Sequence, residues 1–177
     1  APLAQRRAGT RRGGGGAGGR AGAGRAKDLP GAPVYVLGSG ETPSHTTMSE
    51  WEAFTESPAV RSGDLAFARA GLTPADVDLC EIYDAFTPMV LLSLEALGFC
   101  GKGEGGPFVE DGKLRVGGAL PTNTDGGGLS ACHPGLRGMF LMVEAVKQLR
   151  GEAGGRQVPN ANLAWGNGNE GDRKSGG

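Results

Sequence analysis

Cysteine is scarce in this chain: Cys80, Cys100 and Cys132, an odd number with no Cys-x-x-Cys spacing among 177 residues. That argues against both a disulfide framework and a cysteine-rich zinc site. Histidine is scarcer still, with His45 and His133 alone, so no histidine metal cluster and no metal is expected. No apolar run reaches the ~18 residues that a membrane-spanning helix needs, and no apolar leader segment stands near the start. The expectation is a cytoplasmic protein without a membrane span. Acidic residues are absent from positions 1–27, which carry seven basic ones (Arg6, Arg7, Arg11, Arg12, Arg20, Arg25 and Lys27). The remaining residues then hold 11 basic against 19 acidic side chains, so an overall charge of −1 conceals a tail and a body of opposite sign.

Large apolar side chains are also missing from that basic head, whose glycines run through Gly13–Gly16, Gly18, Gly19, Gly22 and Gly24. Such a segment buries too little surface to offset its ordering entropy, so residues 1–28 read as a disordered Arg/Gly-rich tail and 29–177 as the folded domain. The aromatics that interleave a nucleic-acid arm are missing, and nucleic-acid binding is not expected. Gly13–Gly16 follows no strand and no Gly-Lys-Ser/Thr closes it, so it is no phosphate loop; Gly103-Glu104-Gly105-Gly106 is likewise no dinucleotide fingerprint.

What is present alternates between two periods. Pro33 to Leu37 reads as a short strand closing at Gly38. Ser57-Pro58 supplies a cap and first-turn proline for a helix over Ala59–Ala70, ended by Gly71. Thr73-Pro74-Ala75-Asp76 repeats the start signal in one short turn, and Val77 to Ile82 reads as a strand. Thr87-Pro88 opens a helix over Met89–Leu97 whose faces are apolar nearly all round, so it should be buried. Phe108 to Val116, with Asp111-Gly112 at its centre, reads as a hairpin. Met139–Leu149 reads as a helix and Asn160–Trp165 as a last strand, with no return strand to cover its edge. Helices alternating with strands argue an α/β architecture, a mixed sheet with helices on its faces.

The most distinctive stretch runs from Thr122 to Gly135, Thr-Asn-Thr-Asp-Gly-Gly-Gly-Leu-Ser-Ala-Cys-His-Pro-Gly. Its glycines permit positive φ and close backbone approach, and Pro134 biases His133 toward an extended conformation at a helix mouth. An imidazole on a glycine turn beside free backbone donors suits acid–base or oxyanion chemistry. A structural, capping histidine fits the same spacing. Tyr83-Asp84-Ala85-Phe86 stands at the carboxyl end of a strand, where open α/β sheets bind ligands. Asp84 and Thr87 also fit as caps of the following helix, with Tyr83 a half-buried aromatic. Cys132 and His133, adjacent in an extended segment, point to opposite faces, so they do not form a nucleophile–base pair. Cys132 reads as a small buried side chain.

Taken together, these motifs resemble the carboxy-terminal half of the thiolase superfamily, in its lipid-transfer or sterol-carrier-thiolase-like branch. The resemblance runs through Ala70-Gly71-Leu72-Thr73-Pro74-Ala75-Asp76-Val77-Asp78, Glu81-Ile82-Tyr83-Asp84-Ala85-Phe86, Gly105-Gly106-Pro107-Phe108-Val109 and Leu120-Pro121-Thr122-Asn123-Thr124. It continues through Gly126-Gly127-Gly128 and Cys132-His133-Pro134-Gly135 to Gly166-Asn167-Gly168. It implies a thiolase-like half-domain and carbon–carbon bond chemistry on acyl-CoA thioesters in lipid or sterol metabolism, of acyltransferase or retro-aldol type. Coenzyme A would enter as part of an acyl-CoA or steroid-CoA substrate and no separate cofactor is implied.

By the same resemblance His133 matches the histidine of the family's Gly-His-Pro motif, which donates to the thioester oxygen. Tyr83 stands where thiolases carry asparagine and sterol-carrier thiolases histidine, and would act as donor or acid/base at a second oxygen. Asn123, Gly127, Gly128 and Asp84 would shape the substrate side of the turn. The tyrosine variant is similar to thiolase-like proteins of steroid side-chain cleavage, which act with a small OB-fold partner. Two departures stand out: Trp165 falls near the family's second, acid/base cysteine, and the half bearing the covalent nucleophile has no counterpart in these residues. The chain alone is therefore expected to be weakly active or inactive. Dimerisation, which runs through that other half, is not expected of it. The alternative is a non-catalytic lipid- or acyl-CoA-binding subunit.

Overall fold

In a computed structural model of the chain, the described residues are 3–5, 9–11, 15–17, 20–26, 28, 31–42, 53–131 and 137–168. The head supplies four three-residue strands, β1 (Leu3–Gln5), β2 (Gly9–Arg11), β3 (Gly15–Ala17) and β4 (Arg20–Gly22), and a single helical turn α1 (Ala23–Ala26). β1 lies between β4 and β5 (Val34–Val36) in an antiparallel sheet, and β2 pairs with β3.

The body is built around one short buried strand. Helix α2 (Ala59–Ala70) forms where expected: Ser57 Oγ accepts the Ala59 N–H at 3.2 Å. The helix stops at Gly71, whose φ of 68° is cheap only for glycine, while the Leu72 N–H returns to the Phe67 carbonyl at 3.2 Å. The Thr73 and Asp76 side chains close a reciprocal cap around the turn Pro74–Asp76. Asp78 Oδ2 then accepts the Asn162 and Leu163 N–H groups at 2.8 and 2.9 Å, which sets the register of the next pairing.

That pairing joins β6 (Leu79–Ile82) to β7 (Ala164–Asn167) in parallel, Cys80 opposite Trp165 and Ile82 opposite Asn167. On its other side β6 is flanked by the extended segment 121–123: the Cys80 N–H donates to the Pro121 carbonyl and the Asn123 N–H to the Cys80 carbonyl, both at 2.9 Å. Leu79, Cys80 and Ile82 are fully buried. Complete burial of a Leu or Ile side chain is worth about 1.5–3 kcal/mol. Helix α6 (Arg137–Leu149) packs on β6 and β7, while α2 and α3 (Thr87–Ala96) close the cluster containing Phe67, Ile82, Leu94 and Leu97. The α/β architecture with helices on its sheet is as the alternation implied, with the central pairing parallel.

Three local expectations are corrected. Residues 108–116 form no hairpin: α4 (Gly105–Val109) and the turn Glu110–Gly112 replace it. Phe108, Val109 and Leu114 all lean on the one apolar cluster, so tertiary burial overrides the turn signal of Asp111-Gly112, whose positive φ values of 59° and 73° only redirect the chain. α3 is apolar nearly all round, yet only Ser93 and Leu94 within it are buried; it packs against α2 and α4 and is otherwise half-exposed. The last strand begins at Ala164, four residues later than expected. Its residues line a cavity of about 490 Å³, together with Tyr35 of β5, Phe67 of α2, Val146 of α6 and Leu163.

Candidate functional site

β6 ends at Ile82, and there the chain stops pairing and becomes a socket. Tyr83 continues the strand for one more hydrogen bond, its N–H donating to the Asn167 carbonyl at 2.9 Å, and its side chain is half-buried. Asp84, 4% exposed, turns inward. Its carboxylate accepts the Gly128 N–H at 2.7 Å and the Leu129 N–H at 3.2 Å, 44 and 45 residues further along. Asp84 thus caps the short helix α5 (Gly127–Ala131); it does not cap the helix that follows it in sequence, whose N-cap is Phe86.

Asn123 completes the socket from the other strand. It sits at φ 52°, a left-handed conformation that asparagine tolerates better than most residues, and its Oδ1 accepts the Ile82 N–H at 2.8 Å. The last amide of β6 is thereby satisfied by a side chain. Gly126 and Gly127 follow with φ of 96° and 72°. At Gly127 glycine is required twice over, since any Cβ would run into the Asp84 carboxylate. Tyr83, Asp84, Asn123, Gly127 and Gly128 are therefore brought to one strand end. His133 and Cys132 lie outside the described residues.

Behind the socket lies a polar network to which the sequence reading gave no role. Arg137, 4% exposed, grips Asp125 with two hydrogen bonds of 2.9 and 2.8 Å, and Asp125 also accepts the Gly127 N–H at 2.9 Å. Burial alone would raise the Asp125 carboxyl, but these bonds, with the charges of Arg137 and Arg156, hold it below the usual carboxylate range. Deeper still, Thr124 Oγ1 stands 2.9 Å from Glu81 Oε1, 2.9 Å from Glu144 Oε1 and 2.9 Å from Gln148 Nε2. Arg156 pairs with Glu144 through contacts of 2.9 and 2.8 Å, which outweigh burial and lower the Glu144 carboxyl. Glu81, fully buried in β6, has no such cation at contact distance among the described residues, and burial pushes its carboxyl up to about 8. Cys80 is raised as well, by burial and then by Glu81, so it is an inert core thiol.

A signal for the network existed. Glu81 interrupts the otherwise apolar run Leu79-Cys80-Glu81-Ile82, and Glu144 and Gln148 stand four apart on a helix that is apolar around them. A charged residue in a strand buried on both faces is rarely left without a partner.

Tyr83 carries a phenol that can donate or accept a hydrogen bond, and Gly127 and Gly128 approach closely the carboxylate of the adjacent Asp84. Among the described residues no cluster of three or more metal-ligating side chains stands together, and no helix is long and apolar enough to cross a membrane.

Residues 40–175 match the family described as thiolase C-terminal domain-like. The 17-hydroxy-3-oxo-4-pregnene-20-carboxyl-CoA lyase of Mycobacterium tuberculosis is 44% identical over 136 residues, covering 73% of this chain and 34% of that protein. An acetyl-CoA acetyltransferase of Methanothermobacter thermautotrophicus is 41% identical over 140 residues, covering 78% of this chain and 37% of its own length. Among solved structures, a chain of the Ltp2-ChsH2(DUF35) aldolase superimposes with a TM-score of 0.71 at 37% identity, over 80% of this chain and 38% of that one. The chain thus spans about a third of the length of the curated relatives it matches. On the match over residues 40–175, the chain belongs to the thiolase C-terminal domain-like family.

Proposed function

We propose that this chain forms one wall of an acyl-CoA thioester site at which a carbon–carbon bond is made or broken, by acyl transfer or by retro-aldol cleavage. The observation that carries the reading is the strand-end socket, where Asp84 and the Gly128 and Leu129 amides lock two distant motifs into one surface. The relatives support the substrate class, since a CoA ester or acetyl-CoA is part of their names.

In this reading His133 donates to the thioester oxygen, and the Tyr83 phenol donates to, or exchanges a proton with, the second oxygen. Asn123, Gly127, Gly128 and Asp84 hold the turn that presents the acyl group to them. A preorganised donor aimed at a developing oxyanion accounts for about 10²–10³ in rate. In this reading none of these residues is the nucleophile, and Trp165 cannot take the place of an acid/base cysteine. A second, OB-fold subunit belongs to the same proposal, and the two-part name of the solved neighbour supports it.

The test is turnover of acetyl-CoA and of a steroid-CoA thioester, in the thiolytic, condensing and retro-aldol directions. It uses the purified chain and a parent protein that contains it. The expected result is turnover by the parent, reduced about 10²-fold or more by Tyr83→Phe and by His133→Ala, with little or none from the chain alone. Calorimetric binding of acyl-CoA with no turnover by the parent, unchanged in His133→Ala, would instead establish a non-catalytic acyl-CoA-binding subunit.

A further inference from the structure

The hydroxyl of Thr124 has more claims on it than it has protons. Its oxygen lies 2.9 Å from Glu81 Oε1 and 2.9 Å from Glu144 Oε1, while the Gln148 Nε2 amide donates to it, also at 2.9 Å. A threonine hydroxyl has one proton to donate, and an ionised carboxylate has none. One of the two carboxyl groups must therefore bring a proton of its own. Glu144 is fixed by two contacts with Arg156 and takes a further amide proton from Gln148 at 3.2 Å, the surroundings of an anion. Glu81 meets only the Thr124 N–H at 3.2 Å and the hydroxyl, and its Oε2 is buried without a partner among the described residues.

We propose that Glu81 is a positioning residue of the strand-end site: a neutral carboxylic acid that donates its proton to Thr124 Oγ1 and so latches the turn 122–128 onto β6. The proposal rests on the reading of this strand end as the functional site, and it adds how that site is held in shape. With Glu81 protonated, Thr124 Oγ1 accepts from Glu81 and Gln148 and donates to Glu144, and every proton has a place. Thr124 stands between Asn123, which satisfies the end of β6, and Asp125, which anchors Gly127. Losing the Glu81 proton would put two carboxylates on one hydroxyl and load the turn at its midpoint.

The charged and titratable groups around Glu81 favour the neutral acid on balance. Asp125 from the turn and Glu144 from α6 repel its anion, and Cys80 and Asp84 are its neighbours along the chain. Arg137 of α6 and Arg156 feel its charge, but each is engaged at contact distance with Asp125 or Glu144. The sign of the pH dependence follows. The carboxyl of Glu81 is raised in the fold relative to the unfolded chain, so its contribution to stability is complete in mild acid and is lost as pH rises toward and through about 8.

The experiment uses the full chain, wild type and Glu81→Gln, since glutamine keeps the shape and a donor but cannot ionise. In the wild type, a 13C-labelled glutamate carboxyl signal should titrate near pH 8, and it should be missing from the variant. Hydrogen-exchange protection of the Gly126–Gly128 amides should fall at least tenfold between pH 6 and pH 9 in the wild type and stay level in Glu81→Gln. A wild-type glutamate spectrum without that high-pH signal would overturn the proposal even if the variant failed to fold. So would an equal loss of turn protection in both proteins. Acyl-CoA binding, measured separately at pH 6, reports on the site assignment alone, so the two readings fail independently.

Discussion

The two flanks of β6 are built on opposite principles. Toward residues 121–129 nearly every contact is directional: Asn123 on the Ile82 amide, Asp84 on two amides of α5, Thr124 between two glutamates and Arg137 on Asp125. Toward β7, beyond the backbone ladder and the Asp78 contacts with the Asn162 and Leu163 amides, the side chains meet by shape and area: Trp165 stacks on Phe67 with centroids 4.3 Å apart at 16°, beside a cavity of about 490 Å³. A directional flank fixes atoms to tenths of an ångström but fails if a single partner is removed. An apolar flank tolerates substitutions of similar volume and fixes less. The candidate chemistry lies on the flank that fixes most.

That contrast can be broken most forcefully at Arg137. Arg137→Met leaves the Asp125 carboxylate in the turn without its two-point partner, and removing one member of a buried pair costs about 3–5 kcal/mol. Urea unfolding at pH 7 should show a loss on that scale. Asp84→Ala comes next: two inward-facing amides lose their acceptor, at about 2–3 kcal/mol in the same assay. It should also abolish acyl-CoA binding if the turn presents the substrate. The smallest effect belongs to the apolar flank. Trp165→Phe keeps an aromatic ring against Phe67 and removes an indole N–H that is buried without a partner among the described residues, so stability should change by less than about 1.5 kcal/mol. If Trp165→Phe costs more than Arg137→Met, the assignment of the two flanks is reversed.

Much of this arrangement was legible in the sequence because its signals are local. Ser57-Pro58 and Gly71 bracket α2, Thr73 and Asp76 close their reciprocal cap, and the Gly126-Gly127-Gly128 run marks a turn that needs positive φ. The residues from Tyr83 to Asp84 and from Asn123 to Gly128 stood out as a pair of motifs, and the fold puts them at one strand end. What the sequence did not disclose depends on partners far along the chain. Nothing near Asp84 says that its carboxylate belongs to amides 44 and 45 residues away. Nothing near Asp111-Gly112 says that Phe108, Val109 and Leu114 share one apolar cluster, which is why a helix and a turn replace the hairpin. The acidic network was half visible: Glu81 in an apolar strand and Glu144 with Gln148 on one helix face each hint at a buried polar contact. Only the packing of α6 on β6 reveals that the hints concern the same hydroxyl.

Whether Asp84 holds the turn 122–128 onto the end of β6 is the central question. Residue-resolved hydrogen exchange on wild type and Asp84→Ala measures this directly. Gly128 and Leu129 should be strongly protected in the wild type and lose at least tenfold of that protection in the variant, while the Asp78 amide, bonded to the Leu163 carbonyl on the β7 side, keeps its own. Unchanged protection of Gly128 and Leu129, or an equal loss throughout both flanks, would contradict that role of Asp84.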